Sequence, residues 1–177
     1  MRCIHKLFAG ALLLALLACN PAFNWRETRS ELSSLRLLLP CKPDKAVREV
    51  AMARQTLQMD MQGCEAGNAV FAVSHVLVRD PLEAGPLLAG WRAVVLAHVH
   101  ASDAAATPFT LPGGWNIPQS VRLQVNGRRA GGAPVALHAV WFSRVDATGV
   151  HLFHAALYAD RPMPEIAETF FASLALQ

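Results

Sequence analysis

The stretch Gln55–Met61, with the sequence QTLQMDM, decides the fold class because its side chains alternate between apolar and polar. In an extended strand the two kinds fall on opposite faces: Leu57, Met59 and Met61 against Gln58 and Asp60. Residues 45–52 alternate in a similar way, and Ala53-Arg54 can turn the chain between the two segments. We therefore predict an antiparallel hairpin in which position 64 lies opposite position 44.

Further strands and two helices are predicted outside this hairpin. The remaining strands are residues 24–29, 35–39, 68–78, 121–125, 135–143 and 150–158, and Trp25 anchors the first of them. A helical region starts at Asp80-Pro81, and Gly85-Pro86 is expected to interrupt it, with Pro86 in the first turn of the main helix. A final helix covers residues 165–174. The order of strands, helix, strands and helix predicts an α+β domain, with helices packed on one antiparallel sheet.

Two connections carry finer predictions. Asn126-Gly127 follows an alternating strand and predicts a hairpin turn. Residues 104–119 contain three prolines and a lone Trp115, so we predict a long irregular connection, and such connections are often functional.

The first nineteen residues have the features of an export signal. Arg2 and Lys6 precede an apolar run that is about a dozen residues long, too short to cross a bilayer as a helix. The run ends in Leu16-Leu17-Ala18-Cys19, which resembles the lipobox of bacterial lipoproteins. This resemblance implies that residues 1–18 are removed as a signal peptide and that Cys19 is acylated.

The mature chain implied by the lipobox would be a tethered periplasmic protein. Residues 19–23 would form the lipidated tether, and residues 24–177 would form a single domain. Asn20 stands where many lipoproteins retained at the inner membrane carry Asp, so the resemblance favours the inner leaflet of the outer membrane.

Charge and cysteine content agree with an exported protein. The formal net charge of +3 includes Arg2 and Lys6, and without them the chain carries 14 basic and 13 acidic side chains, which gives no nucleic-acid footprint. Besides Cys3 and Cys19, only Cys41 and Cys64 remain, and such a pair in an oxidising compartment predicts a disulfide. Two buried free thiols are the alternative.

The whole pattern resembles the PsbP-like fold. The ending Glu168–Leu174 (ETFFASL) is similar to the aromatic-rich final helix of that fold, and the segments LLPCKPD (residues 38–44) and MQGC (residues 61–64) are similar to uncharacterised exported proteins of proteobacteria. The resemblance implies an α/β/α sandwich that ends in a helix. It also implies a non-catalytic role, because most members are assembly, stabilising or binding subunits.

Motifs for catalysis are missing from the sequence. There is no GxSxG elbow and no glycine-rich loop with P-loop spacing, and we expect no enzyme activity, metal or cofactor. The candidate binding residues are Trp115, Arg128 and Arg129. Trp115 could anchor a partner or fold onto its own domain as a lid, and the two arginines could bind an acidic group or form a solvated hairpin tip.

The function predicted from the sequence is therefore that of a non-catalytic envelope lipoprotein that binds another protein or stabilises a complex. The alternative is a domain that binds a small ligand or lipid, with residues 104–119 closing an apolar pocket between the main helix and the sheet. An unrecognised hydrolase is a third hypothesis, which requires a nucleophile and a base within hydrogen-bonding distance.

Overall fold

The computed structural model describes residues 22–30, 33–52, 55–101 and 105–177. The predicted signal peptide, the lipidation site Cys19 and the turn at Ala53-Arg54 lie outside these residues.

A seven-stranded antiparallel sheet forms the centre of the fold. Its strands, in spatial order, are β3 (Asp44–Met52), β4 (Gln55–Ala66), β5 (Ala69–Val78), β9 (Gly149–Ala159), β8 (Pro134–Asp146), β7 (Val121–Arg128) and β6 (Thr107–Pro108). A three-stranded antiparallel sheet contains β1 (Arg26–Arg29), β2 (Leu35–Leu39) and β10 (Ala175–Leu176). With helices α1 (Pro81–His98) and α2 (Pro164–Ala172), this confirms the predicted α+β class. The prediction of one sheet is wrong, because β1 and β2 pair with the C-terminal β10 and not with the other strands.

The large sheet buries a separate apolar core on each face. On one side, here called the α1 face, Trp91 and Leu88 of α1 pack against Val76 of β5. On the other, the α2 face, Phe170 of α2 and the three-stranded sheet pack against Phe71 of β5. Alternation along a strand sends successive side chains to opposite faces, so β5 contributes to both cores.

Strands β8 and β9 occupy the middle of the sheet and are covered on both faces. Every residue from Val150 to Leu157 is buried, and so is every residue from Val135 to Ser143. Their sequences are therefore almost continuously apolar, whereas β4, nearer the edge, keeps the alternating pattern of a half-covered strand.

The β3–β4 hairpin forms as predicted, but its register differs by one residue. Asp44 pairs with Gly63, and not with Cys64. Met52 pairs with Gln55, so two positions separate the paired residues at the turn. Pairing position 44 with position 64 would instead require an odd number of positions there.

Helix α1 continues through Pro86, contrary to the predicted interruption. It begins at Pro81, and the Asp80 carboxylate accepts a hydrogen bond from the Leu82 N–H (2.9 Å) as a cap. Pro86 cannot donate to the Leu82 carbonyl, but Leu82 is 84% exposed and Pro86 is also exposed. Water can therefore hydrate this part of the helix in place of the missing hydrogen bond.

The predicted turn at Asn126-Gly127 is wrong, because both residues lie within β7 and pair with β8. The turn instead covers residues 129–133, where the Arg129 N–H donates to the Ala133 carbonyl (2.8 Å). Gly127 has a different role. A Cβ there would lie 2.0 Å from the Val99 carbonyl oxygen, so glycine allows the end of α1 to approach β7.

Two glycine substitutions test this placement of α1. A Cβ at Gly90 would meet no atom within 4 Å, so Gly90→Ala should raise the free energy of unfolding by about 0.5–1 kcal/mol through higher helix propensity. Gly127→Ala is the matched control and should lower it, because its Cβ would collide with backbone. Urea unfolding measures both changes, and a destabilised Gly90→Ala would show that this face of α1 is covered.

Candidate functional site

The predicted disulfide is present between Cys41 and Cys64. Their Cα atoms are 5.9 Å apart, and the bridge ties the segment before β3 to the far end of β4. Closing a loop between residues 23 positions apart stabilises a fold by about 3 kcal/mol in the chain-entropy model. The bridge therefore holds the outermost hairpin of the sheet in place.

Trp115 is attached to the end of strand β8. Its N–H donates to the Ser143 carbonyl (2.7 Å), and the Ser143 hydroxyl donates to the Trp115 carbonyl (2.8 Å). The side chain is partly buried and packs against the α1-face core. The described part of the 104–119 connection therefore lies against the domain at this point.

The two candidate arginines contact different partners. The Arg128 guanidinium donates to the Gly132 carbonyl (3.1 Å) within its own turn, and Arg129 lies 3.6 Å from the Asp160 carboxylate. Both side chains are exposed, and exposed ion pairs contribute at most about 1 kcal/mol. Neither arginine has a described contact with Trp115, so the three residues do not form one site.

A hydrogen-bonded chain that links two buried histidines, His75 and His151, to the partly exposed Asp146 lies on the α2 face, and the sequence pattern does not predict it. His75 Nε2 is 2.9 Å from His151 Nδ1, and His151 Nε2 is 3.0 Å from the Asp146 carboxylate. Thr148 also donates to that carboxylate (2.6 Å). The two histidines are 76 positions apart, and only the pairing of β5 with β9 brings them together.

All the hydrogen bonds of this chain of contacts can form when both histidines are neutral. His75 then donates to His151, and His151 donates to Asp146. Burial, with a smaller effect of the nearby His151, lowers the pKa of His75 to about 4. Hydrogen bonds from Thr148 lower the pKa of Asp146 below its usual range, so its carboxylate stays ionised. The Thr148 hydroxyl lies 3.1 Å from His151 Nε2, but it donates its proton to the Asp146 carboxylate. A His151 that donates from Nε2 cannot accept that proton, so this arrangement gives Thr148 no general base.

His154 and His138 also make contacts that are typical of structural residues. His154 is stacked on Trp141 (ring centroids 4.7 Å apart), and burial lowers its pKa to about 3. His138 Nε2 accepts a hydrogen bond from the Met163 N–H (3.1 Å), just before α2. His138 and His154 lie on opposite faces of the sheet, and the described residues contain no cluster of three or more metal-ligating side chains.

The edge of the large sheet at β3 is open. Seven of its nine residues are exposed, and among the described strands only β4 pairs with it. Val47, near its middle, is 54% exposed. Unpaired N–H and C=O groups along such an edge can accept another strand.

A trough lies beside this edge on the α1 face. It has a volume of about 540 Å³, and small residues form its floor: Ala46, Gly63, Ala72 and Ser74. Val70 also lines a second cavity of about 310 Å³, which reaches Tyr158 on β9. Burial raises the pKa of Tyr158 to about 12, so its hydroxyl is protonated and can donate a hydrogen bond. Trp115 lines neither cavity.

Replacing His75 tests the buried chain of contacts. A histidine in the unfolded chain takes up a proton near pH 6.5, whereas folded His75 does so only near pH 4. The unfolded state therefore binds more protons in this interval, and stability falls as the pH falls from 6.5 to 4. His75→Phe should remove about 3 kcal/mol of this pH dependence and should lower stability at pH 7.5, because it leaves His151 Nδ1 without a donor.

Val94, which is 67% exposed on α1, supplies the control, because Val94→Phe replaces no titratable group and should leave the pH dependence of unfolding unchanged. Urea unfolding at several pH values gives the slopes. The same slope for His75→Phe and the original chain would contradict the role assigned to His75.

None of the helices in the described part of the chain is long and apolar enough to cross a membrane. No protein-family model matches the chain, and no curated protein matches it at a significant level.

Proposed function

We propose that this chain is a non-catalytic lipoprotein on the periplasmic side of the cell envelope, and that it binds a protein partner by strand addition at β3. The observation that carries the proposal is the open β3 edge, with nine residues and exposure on both faces. A partner segment that pairs there would gain backbone hydrogen bonds along its length.

The anchor and the cellular location rest on the lipobox resemblance. Acylation of Cys19 would hold the domain at the inner leaflet of the outer membrane. A disulfide between Cys41 and Cys64 supports an oxidising compartment, since such bonds are rare in the reducing cytosol.

The binding role is supported by the resemblance to PsbP-like proteins, most of which are assembly, stabilising or binding subunits. Helix α1 on one sheet face and α2 on the other are compatible with that sandwich. The Thr148 hydroxyl lies 3.1 Å from His151 Nε2 but donates to the Asp146 carboxylate, so its hydrogen bonds are those of a structural residue. Trp115, Arg128 and Arg129 do not converge, and both observations support binding at the sheet edge over catalysis.

Photo-crosslinking tests the proposed surface in intact bacteria. A benzophenone amino acid at position 47 should give a covalent protein adduct of defined mass. The same group at position 94, which is 67% exposed on α1, is the control and should not give it. Equal labelling from both positions, or none from position 47, would contradict docking at β3.

A second candidate function is supported by the 540 Å³ trough, whose volume lies within the range of small-ligand sites. A small apolar ligand or a lipid chain could lie across its floor. The trough is open beside β3, so this site differs from the pocket under residues 104–119 that the sequence predicts.

Native mass spectrometry of protein purified from envelopes tests the trough. A bound ligand should add a discrete mass, and Ala72→Trp should remove it by filling the floor. Ala93→Trp, on the exposed face of α1, should leave it bound. An unliganded mass for the original chain, or a ligand that survives Ala72→Trp, would contradict this candidate.

A further inference from the structure

We propose that the β3 edge takes a second copy of this chain, and that the two β3 strands pair antiparallel about a two-fold axis at Val47. This inference rests on the proposed function, because it names the partner of the same edge. The two seven-stranded sheets would then form one continuous sheet.

Symmetry restricts how two β3 strands can pair. A two-fold axis perpendicular to the sheet makes the strands antiparallel and keeps paired side chains on the same face. Paired positions must then add up to twice the residue number at the axis. An axis at Val47 pairs Val47 with its own copy and pairs seven residues of each strand, positions 44–50.

Charge complementarity favours this register. Glu49 lies opposite the second copy's Lys45, and by symmetry this pair occurs twice. Arg48 lies opposite the second copy's Ala46, with the second copy's Asp44 on one diagonal and its Arg48 on the other, so Arg48 does not distinguish this register. Opposite charges on facing positions stabilise antiparallel strands, and like charges destabilise them.

Neighbouring registers fit less well. An axis at Arg48 would place two guanidinium groups opposite each other. An axis at Ala46 would also pair opposite charges, Asp44 with Arg48, but it would pair only positions 44–48 and would leave Val47 facing Lys45. The Val47 register also covers the most exposed apolar side chain of the strand with its own copy.

The other described strand edges offer far fewer backbone groups for pairing with a second chain. At the far end of the same sheet, β6 has two residues and contains Pro108. In the three-stranded sheet, the outer strands β1 and β10 have four and two residues. Short strands, proline and charged side chains are the usual means of blocking an edge. β3 is long and has no proline, and it carries four charged residues, of which Lys45 and Glu49 pair with each other in the Val47 register.

Pairing about this axis would also extend the trough. The axis is perpendicular to the sheet, so both troughs lie on the same side of the joined sheet. Ala46 lines the trough and belongs to β3, so the two troughs would meet at the seam. The dimer would therefore present one long concave surface beside the paired strands.

Cysteine crosslinking in isolated envelopes tests both the partner and the register, with the full-length chain. Facing residues in an antiparallel pair have Cα atoms about 4.5–5.5 Å apart, within the range for a disulfide. Val47→Cys should therefore give a disulfide-linked dimer under mild oxidation. Glu49→Cys is the matched control and should stay monomeric, because its two copies would be roughly 13 Å apart along the strands.

Charge reversal gives an independent measurement on the purified protein. Glu49→Lys should weaken self-association by roughly tenfold or more in sedimentation equilibrium, because it creates two Lys–Lys pairs. Adding Lys45→Glu should restore it by reversing both partners. Lys45 also has an interaction within its own chain, so circular dichroism must show that the double variant is folded.

The outcomes separate this inference from the proposed function. A Val47→Cys chain that stays monomeric, while photo-crosslinking at position 47 captures a different protein, would overturn the inference and leave strand addition intact. No adduct of either kind would overturn both. Dimers from Glu49→Cys and Val47→Cys alike would overturn the register.

Discussion

The pairing of β5 with β9 is the interaction on which the rest of the structure depends. Ten residue pairs, from Ala69 with Ala159 to Val78 with Val150, join strands that are far apart in the sequence. They connect the β3–β5 meander to the β7–β9 meander and so create one sheet with two faces. This pairing determines both apolar cores, the buried histidine pair and the position of the open edge.

The course of α1 then determines which part of the sheet stays uncovered. The helix begins just after β5, and its end meets β7, where the Arg128 N–H donates to the Val99 carbonyl (2.7 Å). The helix covers the Val50–Met52 end of β3, whose apolar side chains pack against its core, and it leaves the trough floor around Ala46, Gly63 and Ala72 open. The surface that we propose as functional is the part of the sheet that no helix covers.

Buried polar groups mark positions where the sheet brings distant residues together. His75, His151 and Asp146 satisfy one another through hydrogen bonds, which agrees with the cost of burying an unpaired polar group. Trp141 Nε1 and His154 Nε2 are also buried, and neither has a described partner. The buried histidines among these groups are neutral near pH 7. They make the fold less stable in acid, because their pKa values are lower in the folded chain than in the unfolded chain.

Three features could be predicted from the residues alone, because they depend on local periodicity and on cysteine count: the strands whose side chains alternate, the α+β class and the Cys41–Cys64 pairing. Predictions from the sequence failed at residues whose role depends on surroundings that the neighbouring sequence does not show. Gly127 resembled a turn residue, yet glycine is required there because Val99 approaches it, and Pro86 resembled a helix start, yet solvent exposure allows α1 to continue. The strand order, the His75–His151 contact and the open β3 edge could not be predicted in this way. Each depends on pairing between distant segments, and the sequence of one strand does not specify which other strand it pairs with.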